Sequence, residues 1–241
     1  MIHAKYLSVV IPAYNEEKMI GGTLKKLVNY LKNKDYTWEI VVSDDGSFDN
    51  TSRIVKNFKG GSVRLVRLTI NQGKGAALRR GVLEARGVYI IFMDADLSVP
   101  IANIDKFLVE LEKGHDLVIA SRRVRGAKIE VHQPIIRESM GRVFTLLTNL
   151  VTGVAISDFT CGFKGFTKSA AKTIFGVAKI DRWAYDAEII FLAKKFGFKI
   201  KEMPIVWKNR SDTRVRLGSV VLETFRDLLK IRINDNSGQY N

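Results

Sequence analysis

The chain has 241 residues, with 39 Lys+Arg against 25 Asp+Glu for a formal charge of +14, and 46% of it is hydrophobic. That length and apolar content suffice for a sizeable core and exclude a mini-protein held together by disulfides or metal. The single cysteine, Cys161, excludes an internal disulfide and fits a reducing compartment, while the charge excess asks for an acidic partner: nucleic acid, an anionic membrane surface or a phosphorylated substrate.

Tyr6 to Ile11 is a β-rich apolar run, and Glu16 to Leu31 carries apolar residues at Ile20, Leu24, Leu27, Val28 and Leu31, the period of a helix. Strands are predicted next at Trp38 to Val42, Val63 to Leu68, Val88 to Met93 and Asp116 to Ala120, alternating with helical patterns at Asp49 to Phe58, Gly75 to Arg86 and Ile104 to Lys113. This rhythm predicts a parallel sheet. Several strands are apolar without alternation, which predicts burial on both faces and a three-layer α/β core through about residue 120. A basic stretch, Arg122-Arg123-Val124-Arg125-Gly126, then leads into longer helical patterns. No Pro/Ser/Gly-rich linker intervenes, so residues 1–241 are expected to form one domain with a C-terminal elaboration. Val143 to Ile156 is the longest apolar stretch and includes Thr145, Thr148, Asn149 and Thr152; a membrane span needs roughly 20 apolar residues. His3 and Lys5 near the start do not fit a signal peptide, and a cytosolic-side protein is expected.

In open α/β sheets ligands bind at the carboxyl ends of the strands. Three polar loops fall there: Pro12-Ala13-Tyr14-Asn15-Glu16-Glu17, Ser43-Asp44-Asp45-Gly46-Ser47 and Asp94-Ala95-Asp96-Leu97. Asp94 and Asp96 lie two apart, so in extended geometry both carboxylates face one side and can share a hard cation, Mg²⁺ or Mn²⁺. A lone Asp-x-Asp more often ends a strand or caps a helix; a second acidic pair on a neighbouring strand end favours the cation. Asn71-Gln72-Gly73-Lys74-Gly75 offers small residues, backbone N–H groups and a lysine to phosphate. It lacks the Walker spacing, and Leu78 stands where a dinucleotide fingerprint needs its third glycine, which disfavours a phosphate-transfer NTPase and a dehydrogenase. His3, His115 and His132 are scattered, without a zinc-binding pattern. Cys161 has no nearby histidine and reads as a buried thiol.

These motifs resemble the inverting family-2 glycosyltransferases of the GT-A fold. Val9-Val10-Ile11-Pro12-Ala13-Tyr14-Asn15-Glu16 and Asp44-Asp45-Gly46-Ser47 resemble that family's nucleoside-binding segments, and Asp94-Ala95-Asp96 its metal-binding DxD. Within the family the chain is most similar to the polyprenyl-phosphate sugar synthases, above all to the dolichyl-phosphate β-glucosyltransferase group. That likeness rests on Asn71 to Gly75, Ala120-Ser121-Arg122, Asp158 to Lys164, Arg182-Trp183-Ala184-Tyr185-Asp186-Ala187-Glu188 and Arg226-Asp227-Leu228-Leu229. Two departures stand out. Leu97 is followed by Ser98-Val99-Pro100, where mannosyl enzymes usually read Gln-His-Pro after the leucine and glucosyl enzymes Gly-Ala-Thr, which leaves the sugar open; Asp212-Thr213-Arg214 stands where Gly-Ser-Lys is frequent.

The resemblance implies a Rossmann-like three-layer α/β/α sandwich with a C-terminal helical elaboration. Residues 1–120 would be its nucleotide-sugar half and 121–241 its acceptor and membrane-facing half. It implies sugar transfer with inversion from a nucleotide sugar, UDP-glucose preferred, to dolichyl or polyprenyl phosphate; GDP-mannose, a UDP-N-acetylhexosamine and a soluble acceptor are the alternatives. Pro12, Ala13, Tyr14, Glu16, Asp44, Asp45, Lys74, Asp94, Ala95 and Asp96 would bind the donor, Asp94 and Asp96 holding Mg²⁺ or Mn²⁺. Arg122, Arg137, Arg214 and Arg216 would hold the acceptor phosphate. Asp96, Asp158 and Arg122 would be catalytic, Asp158 orienting the sugar or a basic partner. A phosphate monoester is already an oxyanion near neutral pH, so no general base is required. Two stripes, Met140, Val143, Phe144, Leu147, Leu150 and Val151, and Val221, Phe225 and Leu228, with Arg142, Arg226 and Lys230 beside them, would seat the protein peripherally on the cytoplasmic face of a membrane. A membrane-protein partner is allowed for. Nucleic acid is not expected, because acidic loops at the binding edge repel phosphate unless a cation intervenes.

Overall fold

In the computed structural model, residues 5–132, 134–208 and 217–241 are described, with the side chains of 5, 135–137 and 217–222 left aside. Strands β1 (Lys5–Ala13), β2 (Trp38–Asp44), β3 (Val63–Arg67), β4 (Gly87–Met93) and β5 (Leu117–Ser121) alternate with helices α1 (Ile20–Leu31), α2 (Thr51–Lys56), α3 (Lys74–Glu84) and α4 (Asn103–Glu112). Each lies within a few residues of the run that its apolar period predicts. Then come β6 (Lys128–Val131), α5 (Ile135–Thr152), β7 (Phe163–Thr167), α6 (Lys168–Val177), α7 (Tyr185–Lys195), β8 (Ile200–Pro204), β9 (Val206–Lys208) and α8 (Leu217–Asn236).

The main sheet has seven strands in the order β3-β2-β1-β4-β7-β5-β8, and β6 pairs with β9 in a small second sheet. Two core clusters explain the uninterrupted apolar strands. Val10, Val41, Ile90 and Phe92 face one way, with α3, α6 and α7; Val9, Ile11, Ile40, Val42, Ile91 and Met93 face the other, with α1 and α4. Alternation thus persists, but both faces are apolar because both are covered by helices. This is the expected three-layer sandwich.

The expected parallel sheet needs one correction. β7 runs antiparallel between β4 and β5, pairing Met93 with Phe163 on one side and Ile119 with Lys164 on the other. The βα rhythm of the first half cannot reveal a strand contributed from beyond residue 160. Its insertion decides the site: an antiparallel strand begins at the edge where its parallel neighbours end. The loop entering β7 therefore meets the carboxyl ends of β1, β2, β4 and β5.

Helix ends follow local chemistry. Gly153 stops α5 in the left-handed region at φ 67°, and the Thr167 hydroxyl accepts from Ala170 N–H to start α6. Among the described residues no helix is long and apolar enough to cross a membrane.

Candidate active site

The loops after β1 and β2 are clasped together. Asp45 N–H donates to Ala13 C=O at 2.9 Å, continuing the β1 to β2 pairing in which Pro12 sits opposite Ser43. Asn15 N–H donates to Ser47 Oγ at 2.9 Å, and Glu16 N–H to Thr51 Oγ1 at 2.7 Å. Asp44 is wholly buried and builds its own turn: it accepts from Ser47 N–H at 2.9 Å and from the Ser52 hydroxyl, with Arg67 Nε at 3.5 Å. Gly46 must be glycine in that turn, since at φ 72° an added Cβ would lie 2.6 Å from the Ile70 carbonyl carbon. What this region leaves outside is aromatic. Tyr14 and the exposed Phe48 meet edge to face at 6.2 Å, a rim suited to a planar base.

Asp45 turns the other way and gathers the glycine loop. Its carboxylate accepts from Gln72 N–H and Gly73 N–H, both at 2.8 Å, and from Asn71 Nδ2 at 2.7 Å. Burial raises its pKa, and the two N–H groups oppose that rise. The backbone donors that the sequence offers to a phosphate at Gln72 and Gly73 are therefore taken by Asp45. Gly73, at φ 116°, lies against Asp181, whose carbonyl oxygen would be 2.5 Å from an added Cβ. Ala76 N–H donates to that same carbonyl, locking the loop to the segment before α7. Lys74 opens α3 and sends its ammonium across the edge to Asp94 Oδ1 at 2.6 Å. Burial disfavours its charge, but Asp94 more than offsets this, and its pKa lies well above the usual lysine value.

Asp94 and Asp96 are not in the extended geometry their spacing suggests. The chain turns at once, with Leu97 at φ 56°. Asp96 accepts from Ser98 N–H at 2.8 Å and from Ser98 Oγ at 2.6 Å, closing the turn over itself. Ala95 is buried, and its carbonyl accepts from Thr23 Oγ1 at 2.5 Å. Asp94 stays about one-third exposed (36%), its N–H donating to Gly162 C=O at 3.1 Å. Its carboxylate lies flat on Gly162, where any Cβ would come within 2.0 Å of Oδ2. Among the described residues no group of three or more His, Cys, Asp or Glu surrounds a common cation position. Two hard carboxylates two residues apart in sequence, one of them partly open to solvent, fit a divalent ion that takes its other ligands from a diphosphate and water.

The third component is Arg122, just past β5. Nε and Nη2 donate to Asp158 Oδ2 and Oδ1 at 2.7 and 2.8 Å, its backbone N–H adds a 3.0 Å bond, and Nη2 also reaches Thr160 Oγ1 at 2.8 Å. The guanidinium lies over the Trp207 ring at 5.2 Å. Burial works against both charges, yet the bidentate pair wins: the arginine pKa is raised and the Asp158 pKa lowered, so both stay ionised. The basic group that Asp158 meets is Arg122. Arg123, its neighbour, ties α5 to this loop through Thr145 Oγ1 at 2.7 Å and Ser157 C=O at 3.3 Å.

The loop of residues 158–162 is held from below by Lys164, which is fully buried. Its ammonium donates to Phe159 C=O and Cys161 C=O, both at 2.8 Å, and pairs with Asp186. Sequence reasoning missed Lys164, Thr160, Gly162 and Trp207 as site residues. A lysine inside the apolar run Phe163 to Phe166 is the one local signal that could have exposed this arrangement. Cys161 is buried as expected, and burial pushes its thiol up to about 12, which fits no nucleophile. Arg214 and Arg216, and the side chains of Arg137 and of Val221 in the second stripe, fall outside what is described.

The family model of glycosyl transferase family 2 matches residues 8–175. The dolichyl-phosphate beta-glucosyltransferase of Homo sapiens is 32% identical over 98% of this chain and 78% of its own length. That of Saccharomyces cerevisiae is 32% identical over 95% of this chain and 74% of its own. Among solved structures, glucosyl-3-phosphoglycerate synthase from Mycobacterium tuberculosis in complex with UDP superposes with a TM-score of 0.67 at 22% identity, covering 94% of this chain and 80% of that one. The same enzyme in complex with Mn²⁺, UDP and glucosyl-3-phosphoglycerate gives a TM-score of 0.65 at 20% identity, over 95% of this chain and 79% of that one. At such identity the structural likeness is one of fold, and the sequence matches carry the family. With the GT-A fold and matches running nearly end to end, the chain belongs to glycosyl transferase family 2, as a glycosyltransferase of the dolichyl-phosphate beta-glucosyltransferase group.

Proposed function

We propose that the protein transfers glucose from UDP-glucose to dolichyl or a related polyprenyl phosphate, with inversion at the anomeric carbon. The observation that carries this reading is the five-residue segment 158–162. One end holds the Arg122 guanidinium, aimed by Asp158 and Thr160, and the other lies under a partly exposed carboxylate. A phosphate acceptor and a diphosphate-bearing donor need those two charges side by side. The names of the relatives supply the sugar and the lipid.

Tyr14 and Phe48 receive the base, and Lys74 accompanies the donor phosphates. Asp94 and Asp96 would hold Mg²⁺ or Mn²⁺, which when bound neutralises the diphosphate and the charge released with the nucleotide. Arg122, fixed by Asp158 and Thr160, holds the acceptor phosphate oxygens. Because that phosphate is already an oxyanion, the chain has no proton to remove and needs only to orient it. Residues 1–120 would serve chiefly the donor and residues 121–241 the acceptor.

The lipid would come from a membrane that the protein touches from its cytoplasmic face. The expected stripes are rotated in the fold: Phe144, Val151 and Leu228 pack inward, whereas Val143, Leu146 and Leu150 on α5 and Phe225, Leu229 and Ile233 on α8 remain exposed. Arg142 and Arg226 are exposed beside them. Each such base adds on the order of 1 kcal/mol at an anionic surface. The test incubates the protein with Mg²⁺, a short polyprenyl phosphate and, separately, UDP-glucose, UDP-N-acetylglucosamine and GDP-mannose, and follows sugar into the lipid phase. Transfer from UDP-glucose alone with a β-linked product is expected. Transfer only to soluble acceptors, or only from another donor, overturns the assignment.

A further inference from the structure

Asp94 already has a cation, supplied by the chain. Lys74 Nζ sits 2.6 Å from Oδ1, and its other neighbour is the Tyr185 ring, whose centroid is 5.9 Å away. Tyr185 is buried. We propose that Lys74 is an exchangeable counter-cation. It neutralises Asp94 until a divalent ion and a nucleotide diphosphate arrive together, and its ammonium then moves from carboxylate to phosphate. This rests on the reading of Asp94 as a metal ligand for a diphosphate donor.

Three observations carry it. Three backbone donors of this segment are already taken: Gln72 and Gly73 N–H are bound to Asp45, and Ala76 N–H to Asp181 C=O. Lys74 is the loop's mobile donor, on a long stem rooted in the first turn of α3. Its anchor is fixed, because Gly73 and Gly75 are pressed against Asp181 and Ile180, with carbonyl oxygens 2.5 Å from any added Cβ. Only the side chain can move, between Asp94 and a ligand bound beside it. Asp94 and Asp96 together carry two negative charges, and Lys74 cancels one of them. A metal ion arriving alone must therefore displace an ammonium that has nowhere as good to go. A diphosphate gives it a destination and gives the metal further ligands. Metal and nucleotide are thereby coupled, each raising the other's affinity by the same factor.

The test reads metal binding and not turnover. Free Mn²⁺ is titrated by its electron paramagnetic resonance signal against wild type, Lys74→Met, Lys74→Gln and Asp94→Asn, with no nucleotide, with UDP and with GDP; thermal melts confirm that each variant is folded. Lys74→Met and Lys74→Gln should bind Mn²⁺ alone roughly tenfold more tightly than wild type, the scale of one charge-assisted hydrogen bond. Their gain from nucleotide should shrink, and Asp94→Asn should bind none. Unchanged or weaker Mn²⁺ binding in both Lys74 variants overturns the exchange and leaves the metal site standing. Tighter binding with undiminished nucleotide coupling also overturns it, since Lys74 would then only repel. Failure of wild type and every variant to bind Mn²⁺ under any condition overturns the metal reading together with the exchange.

Discussion

Asp44 and Asp94 end two strands that flank β1, both in acidic loops, and in the sequence they look alike. In the fold they are opposites. Asp44 is wholly buried, its oxygens taken by Ser47, Ser52 and Arg67; Asp94 is about one-third exposed (36%) and held by a flexible lysine. A carboxylate saturated by short-range partners builds a turn, whereas one left with a displaceable partner can receive a ligand. Asp158 falls on the saturated side: it is wholly buried, and its oxygens are engaged by the Arg122 side chain and backbone N–H.

The sharpest way to break this comparison is to neutralise both members. Asp94→Asn should lower kcat/KM by roughly 10³-fold with an unchanged melting temperature. Asp44→Asn should do the reverse, costing about 1–3 kcal/mol in denaturant titrations and leaving kcat within a few-fold. Equal activity losses in both would erase the distinction. Next in size, Asp158→Asn should cut turnover by about 10²-fold while donor binding, read by calorimetry, survives. It should also destabilise the fold by about 3–5 kcal/mol, because a buried guanidinium is left unpaired. Unaltered turnover would remove Asp158 from the site. Gly162→Ala places a methyl where the Asp94 carboxylate lies and should lower kcat by tens-fold through misplacement of that group. A neutral result would mean that the position of Asp94 is loosely set.

The smallest effect concerns Glu39, a buried carboxylate at the far end of β2. Burial alone would raise its pKa, but bonds from Ser8 Oγ, Arg86 N–H and Arg64 Nε prevail and lower it below 4.5. A depressed folded-state pKa contributes stability that is present above the unfolded value and is lost as pH falls through the folded one. Glu39→Gln should therefore be less stable than wild type at neutral pH and converge with it as pH drops below 4.5. A gap constant with pH would show that Glu39 acts by packing alone.

Much of this was legible in the sequence where the relevant physics is local. Turn residues and strand ends pointed to Asp44, Asp94 and Asp96, and the resemblance pointed to Arg122 and Asp158. What each carboxylate does was not legible, because the answer depends on partners such as Arg67, Lys74 and Gly162 that the chain brings from elsewhere. The exact rotation of α5 was not legible for a similar reason. Period fixes that one face is apolar, but of the expected stripe Val143 and Leu150 are exposed while Phe144 and Val151 pack inward, and Leu146, outside it, is exposed as well.

By itself, the sequence determined the first five strands, the helices between them, the two-sided burial of the sheet and the family, because apolar periodicity and short motifs are properties of neighbouring residues. The tertiary structure alone decided that β7 enters antiparallel between β4 and β5. With it came the union of Arg122, Asp158, Lys164 and Gly162 with Asp94. Strand order is settled by which two apolar faces and which open hydrogen-bonding edges fit together across the whole chain, and no window of sequence contains that competition.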